Sequence, residues 1–414
     1  MLKFLSSSLF RFFLSHHRKN EFHKNLILNL LSNVKYGRLR LCTPEKEVMY
    51  FQGQVDPDKI QADLNLKTWE SLIITLTRGD IGFGESYMAN DWSSNNLTNL
   101  LLFAIWNKED LKKITNGKKI FLIYELLKHK FRFNSKRNAA QNIQAHYDLN
   151  NDFYKLFLDS TMTYSSAYFG LSNKTSLHDA QKNKINQIIN SFVNKKGKFS
   201  VLEIGFGWGS FAKELLNKTP ASYYGITLSK QQFDYVDNLL SVEIKQKKAI
   251  LEIIDYRTVK GLFDVIVSIE MFEAVGKAYW STFFKTLRSR LKPGGTAFIQ
   301  TILIDEKKVN DYQRQVDFIQ SYIFPGGMLA SESQFKSKAS KEKFQITNEL
   351  WFGDDYAKTL KLWKEKFEQN LNQIECLGFD KKFCNMWRFY LSYCEAGFLS
   401  GDLKVAQFTL NSLR

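Results

Sequence analysis

The stretch VLEIGFGWGSFA at 201–212 constrains this chain more than any other. An apolar run ends at Glu203 and Ile204, and glycines follow at 205, 207 and 209 before helical spacing begins. A glycine turn between a strand and a helix lets a ligand come close to the backbone, and the helix start offers free N–H groups. The same rhythm continues downstream. Strand-like runs at 200–204, 222–226, 249–254, 263–268 and 296–303 alternate with amphipathic helical stretches such as 209–217, 229–240 and 279–291. LKPGG at 291–295 closes one helix and turns into the next strand. Such alternation argues for an α/β fold, a Rossmann-like parallel sheet with helices on both faces.

The glycine spacing is G-x-G-x-G, so the ligand has to be argued from its surroundings. NAD calls for a carboxylate about 20 residues on, at the end of the second strand. Here that place reads Gly225, Ile226, Thr227, Leu228, Ser229, with no acid. A phosphate loop needs Gly-Lys-Ser/Thr after the glycines, and this chain has GSF. S-adenosylmethionine carries no phosphate and needs no lysine. Its methionine carboxylate and ammonium can meet the backbone of the turn. Asp255, at the end of the third strand, is placed to accept from the adenine amino group, with Tyr256 against the ring.

Residues 38–66 alternate in the manner of strands, with turns at TPEK and VDPD. Helical spacing returns near 67–78, GDIGFGESYMANDW (79–92) reads as a packed loop, and LTNLLLFAIWNKEDL reads as a helix. The basic stretch 125–140 reads as a connector. Two domains follow: a small N-terminal α+β domain over 1–125 and the sheet domain over 126–414.

The formal net charge of +16 points to a polyanionic partner, nucleic acid or an anionic membrane face. Residues 1–40 carry eight Lys/Arg against the single acid Glu21, and Leu5, Leu9, Phe12 and Phe13 share one helical face. Such a helix can lie on anionic lipid. Nothing reaches the run of some 18 apolar residues that spans a bilayer. The four cysteines form no CxxC pair and no histidine follows His178, which argues against zinc and for a reducing cytoplasm. Cys376, Cys384 and Cys394 read as small hydrophobes in helices.

HYDLNNDFYKLFLDSTMTYSSAYF (146–169), SIEMFEAVG (268–276), FIQTI (298–302), DFIQSYIFPGGML (317–329) and WRFYLSYCEAGFLSGDLKVAQFTL (387–410) strongly resemble the cyclopropane-fatty-acyl-phospholipid synthase and mycolic acid methyltransferase family. GDIGFGESYMANDW also resembles the small N-terminal domain of its full-length bacterial members. The resemblance implies a class I methyltransferase that binds S-adenosylmethionine and acts on the cis double bond of an unsaturated phospholipid acyl chain. It implies Tyr164, Ser165, Gly205, Gly207, Gly209, Thr227, Leu228, Ser229, Gln232, Asp255, Tyr256 and Ile269 as cofactor contacts. It further implies a bound bicarbonate as proton acceptor, held by Glu273, Tyr322 and the backbone of Ile302. Two further holders depart from the family pattern: Ser166 stands where a cysteine is usual, and Gln300 where a histidine is usual. Both can still donate to an anion.

The expected reaction is therefore cyclopropane formation on phospholipid acyl chains. Methyl-branched or methylene products are the alternative if altered proton removal lets the cation resolve differently. A binding protein that has lost catalysis is a remote third. No nucleic-acid module is visible, so the expected surroundings are the cytoplasm and the inner face of an anionic membrane. The family also allows a homodimer.

Overall fold

The computed structural model describes residues 16–112, 149–170, 174–192 and 197–413. The lipid-facing pattern of Leu5, Leu9, Phe12 and Phe13, the connector at 125–140 and His146 lie outside them. The chain divides into two compact units, Met1–Glu125 with Asp380–Ser400 and Leu126–Phe379 with Gly401–Arg414.

In the first unit, β1 (Tyr36–Cys42), β2 (Val48–Gln52), β3 (Asp56–Leu66) and β4 (Trp92–Ser93) form a sheet in the order β2-β1-β3-β4. The alternation read from the sequence is the burial pattern on β1 and β3, where Leu39, Leu41, Ile60, Ala62, Leu64 and Leu66 are buried, but not on the edge strand β2, where the expected inward residues Val48 and Tyr50 are exposed. The TPEK turn closes with the Lys46 N–H donating to Thr43 O at 2.9 Å.

The expected loop at 79–92 is instead mostly helix. Helix Glu70–Met88 runs through it and breaks at Gly79, where φ is 65° and ψ is −143°. Ile81, Phe83, Tyr87 and Met88 are buried, so apolar spacing prevails over the poor helix propensity of glycine. Trp92 then stacks on Phe83 with ring centroids 4.1 Å apart.

Helix Lys381–Leu399 belongs to this first unit, whereas the sequence places it in the second domain. Polar contacts hold it there. Thr98 Oγ1 donates to Glu395 Oε2 at 2.8 Å, and the Tyr393 hydroxyl donates to Asp80 Oδ2 at 2.7 Å.

The second unit is built on a sheet of order β11-β12-β9-β8-β5-β6-β7. β5 (Ser200–Ile204), β6 (Ser222–Thr227), β7 (Ala249–Ile253), β8 (Phe263–Ile269) and β9 (Leu291–Ile304) are parallel. β10 (Ala330–Ser331) pairs with β9, while β11 (Phe344–Trp351) and β12 (Leu403–Ser412) close the other edge antiparallel. Helices Ser210–Lys218, Lys230–Leu239 and Trp280–Arg290 fall where the sequence puts them. LKPGG lies inside β9, and a register shift between Phe263 and Val265 accommodates it.

Two apolar cores cover the two faces of this sheet, one around Phe272, Phe283 and Phe284 and the other around Ile188, Phe211 and Leu215. The order of the strands reverses on either side of β5. In open α/β sheets, ligands bind at such a switch point, beyond the carboxyl ends of the strands. Among the described residues no helix is long and apolar enough to cross a membrane. Cys376 and Cys394 are helical as expected, but Cys376 is exposed, whereas Cys384 is buried.

Candidate active site

Beyond the carboxyl ends of β5 and β8 lies a cavity with about 970 Å³ of unfilled space, part of it open to solvent. The glycine turn forms one wall. Gly205, Gly207 and Gly209 have φ of 82°, 54° and 80°, a region that a side chain disfavours. Their roles differ. A Cβ on Gly207 would meet nothing within 4 Å, whereas one on Gly209 would press on Val236 at 3.0 Å. Gly207 leaves space for a ligand, and Gly209 leaves space for a helix.

Of the cofactor contacts expected from the sequence, Tyr164, Ser165, Gly205, Gly207, Thr227, Leu228, Gln232, Tyr256 and Ile269 line this one cavity. Gly209, Ser229 and Asp255 do not. Ser229 caps helix Lys230–Leu239, its side chain accepting from the Gln232 N–H. Asp255 is committed to Arg257, which donates through Nε at 2.7 Å and through Nη2 at 2.5 Å. The Asp255 carboxylate expected to meet adenine is thus oriented by a neighbour two residues on. Tyr256 lines the cavity instead, and its buried hydroxyl has no hydrogen-bond partner among the described residues.

The residues expected to hold bicarbonate are arranged differently from the expectation. Glu273 Oε1 accepts from Thr301 Oγ1 at 3.0 Å and from the backbone N–H of Ile302, while the buried Oε2 has no partner among the described residues. Burial pushes the Glu273 carboxyl up to about 8, with the neighbouring Glu270 adding to the shift. Ser166 turns its hydroxyl to the carbonyl of Ala167 at 3.0 Å. Its N–H and the Gln300 amide both donate to a residue the sequence reading does not name, Glu270, at 2.9 and 2.7 Å. Tyr322 sits in the wide helical turn Ile319–Ile323, stacked on Phe318 with centroids 5.0 Å apart, and does not line the cavity.

Glu270 is the centre of the arrangement. It lies directly after β8 with φ of 51°, a left-handed conformation rare for a residue with a side chain. The Tyr356 hydroxyl donates to its second oxygen at 2.6 Å. Burial raises its pKa against the pull of Lys184 and of these three hydrogen bonds.

Two more buried charges went unread in the sequence. Lys184, on helix Leu177–Asn190, donates to Ser165 Oγ at 2.5 Å. Burial lowers its pKa to about 8, opposed by Glu270, Asp159 and Glu203. Glu203, the last acid of β5, accepts from the Tyr223 hydroxyl at 2.6 Å, and burial raises it to about 8.

The cavity suits S-adenosylmethionine on its own chemistry. Glu203 and Glu270 on its wall offer oxygens that accept from an ammonium, Lys184, already bonded to Ser165, is the only lysine or arginine lining it among the described residues, and the Tyr256 hydroxyl awaits an acceptor. The site does not suit bicarbonate in the expected manner. The Ser166 hydroxyl donates to the Ala167 carbonyl, and the Ser166 N–H, the Gln300 amide and the Ile302 N–H donate to the protein's own carboxylates.

Comparison with known proteins agrees with this geometry. Residues 134–408 match the family described as mycolic acid cyclopropane synthetase. The tuberculostearic acid methyltransferase of Mycobacterium tuberculosis is 36% identical over 339 residues, covering 80% of this chain and 79% of its own length. The cyclopropane-fatty-acyl-phospholipid synthase of Escherichia coli is 30% identical over 356 residues, covering 84% and 87%. Among solved structures, a mycolic acid cyclopropane synthase complexed with SAH and CTAB superimposes with a TM-score of 0.62 at 31% identity, over 66% of this chain and 98% of that one. The fold is that of class I methyltransferases, and the chain belongs to the mycolic acid cyclopropane synthetase family of S-adenosylmethionine-dependent methyltransferases.

Proposed function

We propose that the protein adds a one-carbon unit to the cis double bond of unsaturated phospholipid acyl chains at an anionic membrane surface, closing it to a cyclopropane. The observation that carries this reading is the cavity at the switch point, walled by a glycine turn without a phosphate-binding cation and by buried carboxylates. S-adenosylmethionine bound there supplies an electrophilic methyl group. Gly205 and Gly207 give the backbone room to hold it, Gln232 and Thr227 edge the cavity, and Tyr256 offers its hydroxyl. The protein's own part is to exclude water, to hold the alkene against the methyl group and to accept the proton released as the product forms. The net charge of +16 supports attraction to anionic lipid, worth about 1 kcal/mol for each Lys or Arg near the surface.

A second reading, a methyl-branched or methylene product, draws on two observations. The Ser166 hydroxyl and the Gln300 amide are engaged within the protein. In addition, the relative at 36% identity is named a methyltransferase, not a cyclopropane synthase.

The test is incubation of the purified protein with methyl-labelled cofactor and vesicles of cis-unsaturated anionic phospholipid. The acyl products are then identified by mass and by proton NMR. Cyclopropyl protons support the first reading, and vinylidene or branched methyl signals the second. Absence of label in the acyl chains, with cofactor bound, overturns both.

A further inference from the structure

Three side chains and one backbone amide from distant parts of the second unit are organised around a single carboxylate. Ser166 N–H and Gln300 Nε2 meet Glu270 Oε1, and Tyr356 meets Oε2. Gln407 on β12 donates to Gln300 Oε1 at 3.0 Å and to the carbonyl of Lys184 at 3.3 Å. A carbonyl can only accept, so the Gln407 amide faces it with nitrogen. The Gln300 oxygen must then face Gln407, and the Gln300 nitrogen must face Glu270. The orientation of the whole relay is set by hydrogen-bond logic.

Two of the positions in this shell, 166 and 300, are those at which the chain departs from the family's bicarbonate holders. Both departures feed the same carboxylate, and that carboxylate lines the cavity. We propose that Glu270 is a built-in proton acceptor, a protein carboxylate that takes the place of the bicarbonate the family resemblance implies, so that turnover needs no added anion. The inference rests on the reading above, one-carbon transfer to an unsaturated acyl chain. The step assigned to Glu270 is one proton transfer. A C–H bond of the methylated, cationic acyl chain breaks, its electron pair closes the ring or forms the new double bond, and the proton passes to a Glu270 oxygen.

The backbone makes the idea testable. Glycine is the residue best suited to φ of 51°, so E270G removes the carboxylate without straining the chain. It leaves the Ser166, Gln300 and Tyr356 donors facing a space where a small anion fits. The experiment uses full-length wild type, E270G and E270Q, with bicarbonate stripped from all buffers or restored. 13C-labelled bicarbonate followed by NMR reports binding independently of turnover. Wild type is expected to turn over equally in both buffers and to show no saturable bicarbonate binding. E270Q, close in shape, is expected to lose about 100-fold in turnover, the lower range for a missing general base. E270G is expected to bind bicarbonate and to regain turnover when it is supplied.

Wild type that binds bicarbonate saturably, or that slows when it is stripped, overturns the proposal alone. E270Q with full turnover does the same, and remains informative should E270G fail to fold. Wild type that methylates no unsaturated acyl chain under either condition overturns the acyl reading, and this assignment with it.

Discussion

Gln300 donates its amide N–H to the carboxylate of Glu270 at 2.7 Å while Gln407 holds its carbonyl from behind at 3.0 Å. The hydrogen bond from Gln300 lowers the Glu270 pKa, against burial, which raises it. Gln300→Leu removes that lowering influence, so Glu270 should need a higher pH to stay ionised. A base acts only when deprotonated, so the acid limb of the pH–rate profile is expected to move toward higher pH. An unchanged profile at reduced protein stability would mean that Gln300 is only a structural support.

Glu273 allows a cleaner test of buried charge. Its carboxyl is pushed up from the ordinary value near 4.5 to about 8, chiefly by burial. The folded protein therefore holds a proton there that the unfolded chain releases, between roughly pH 4.5 and 8. The stability this contributes is complete below about 4.5 and is lost as pH rises through about 8. Glu273→Gln keeps the shape without the titration. Its stability relative to wild type is expected to increase steadily from pH 5 to pH 8 in urea unfolding. A difference that is flat with pH would refute the assignment of a proton to Glu273.

Gly207 and Gly209 should fail in different ways when replaced by alanine. Gly207→Ala carries the cost of a left-handed residue, about 1 kcal/mol, and puts a methyl group into the cavity. Binding of S-adenosylhomocysteine should weaken more than stability does. Gly209→Ala forces its Cβ against Val236 and is expected to cost about 2 kcal/mol or more in stability. Calorimetric binding and thermal unfolding on the two variants separate these outcomes.

Lys184 is fully buried among Glu270, Glu203 and Asp159, and its ammonium rests on Ser165. Lys184→Met removes the buried positive charge that lies among these acids. Removing one partner of a buried ionic group costs about 3 kcal/mol, because it strands charge of one sign. Ser165 also loses its anchor, so cofactor affinity should fall together with the urea midpoint. Lys184→Met with wild-type stability would show that the surrounding acids are protonated and need no counter-charge.

The sheet and the glycine turn were legible because their signals are local. Alternation on β1 and β3 and the apolar runs of β5, β6 and β8 follow directly from which faces are buried. The glycines of helix Glu70–Met88 signal a turn in the sequence, while the burial of Ile81 and Phe83 comes from tertiary packing. Asp255 reads from the sequence as a ligand contact at a strand end, while its bonds to Arg257 depend on side-chain geometry. Glu270 stands at the end of β8, where ligands gather in such sheets, three residues before Glu273. Its significance depends on Tyr356, 86 residues away, and on Gln300, 30 residues away, and no sequence window joins them. Lys184 was hidden for a related reason. A lysine on an amphipathic helix normally faces water, and only its buried acid neighbours account for its turning inward.

The bond from Gln407 to the carbonyl of Lys184 spans 223 residues of chain. Contacts of such sequence separation form slowly, since a long loop must close before they gain anything. In refolding, the secondary structure of the second unit should therefore return well before the Glu270 pocket is correctly wired. Recovery of ligand binding would then lag behind recovery of circular dichroism.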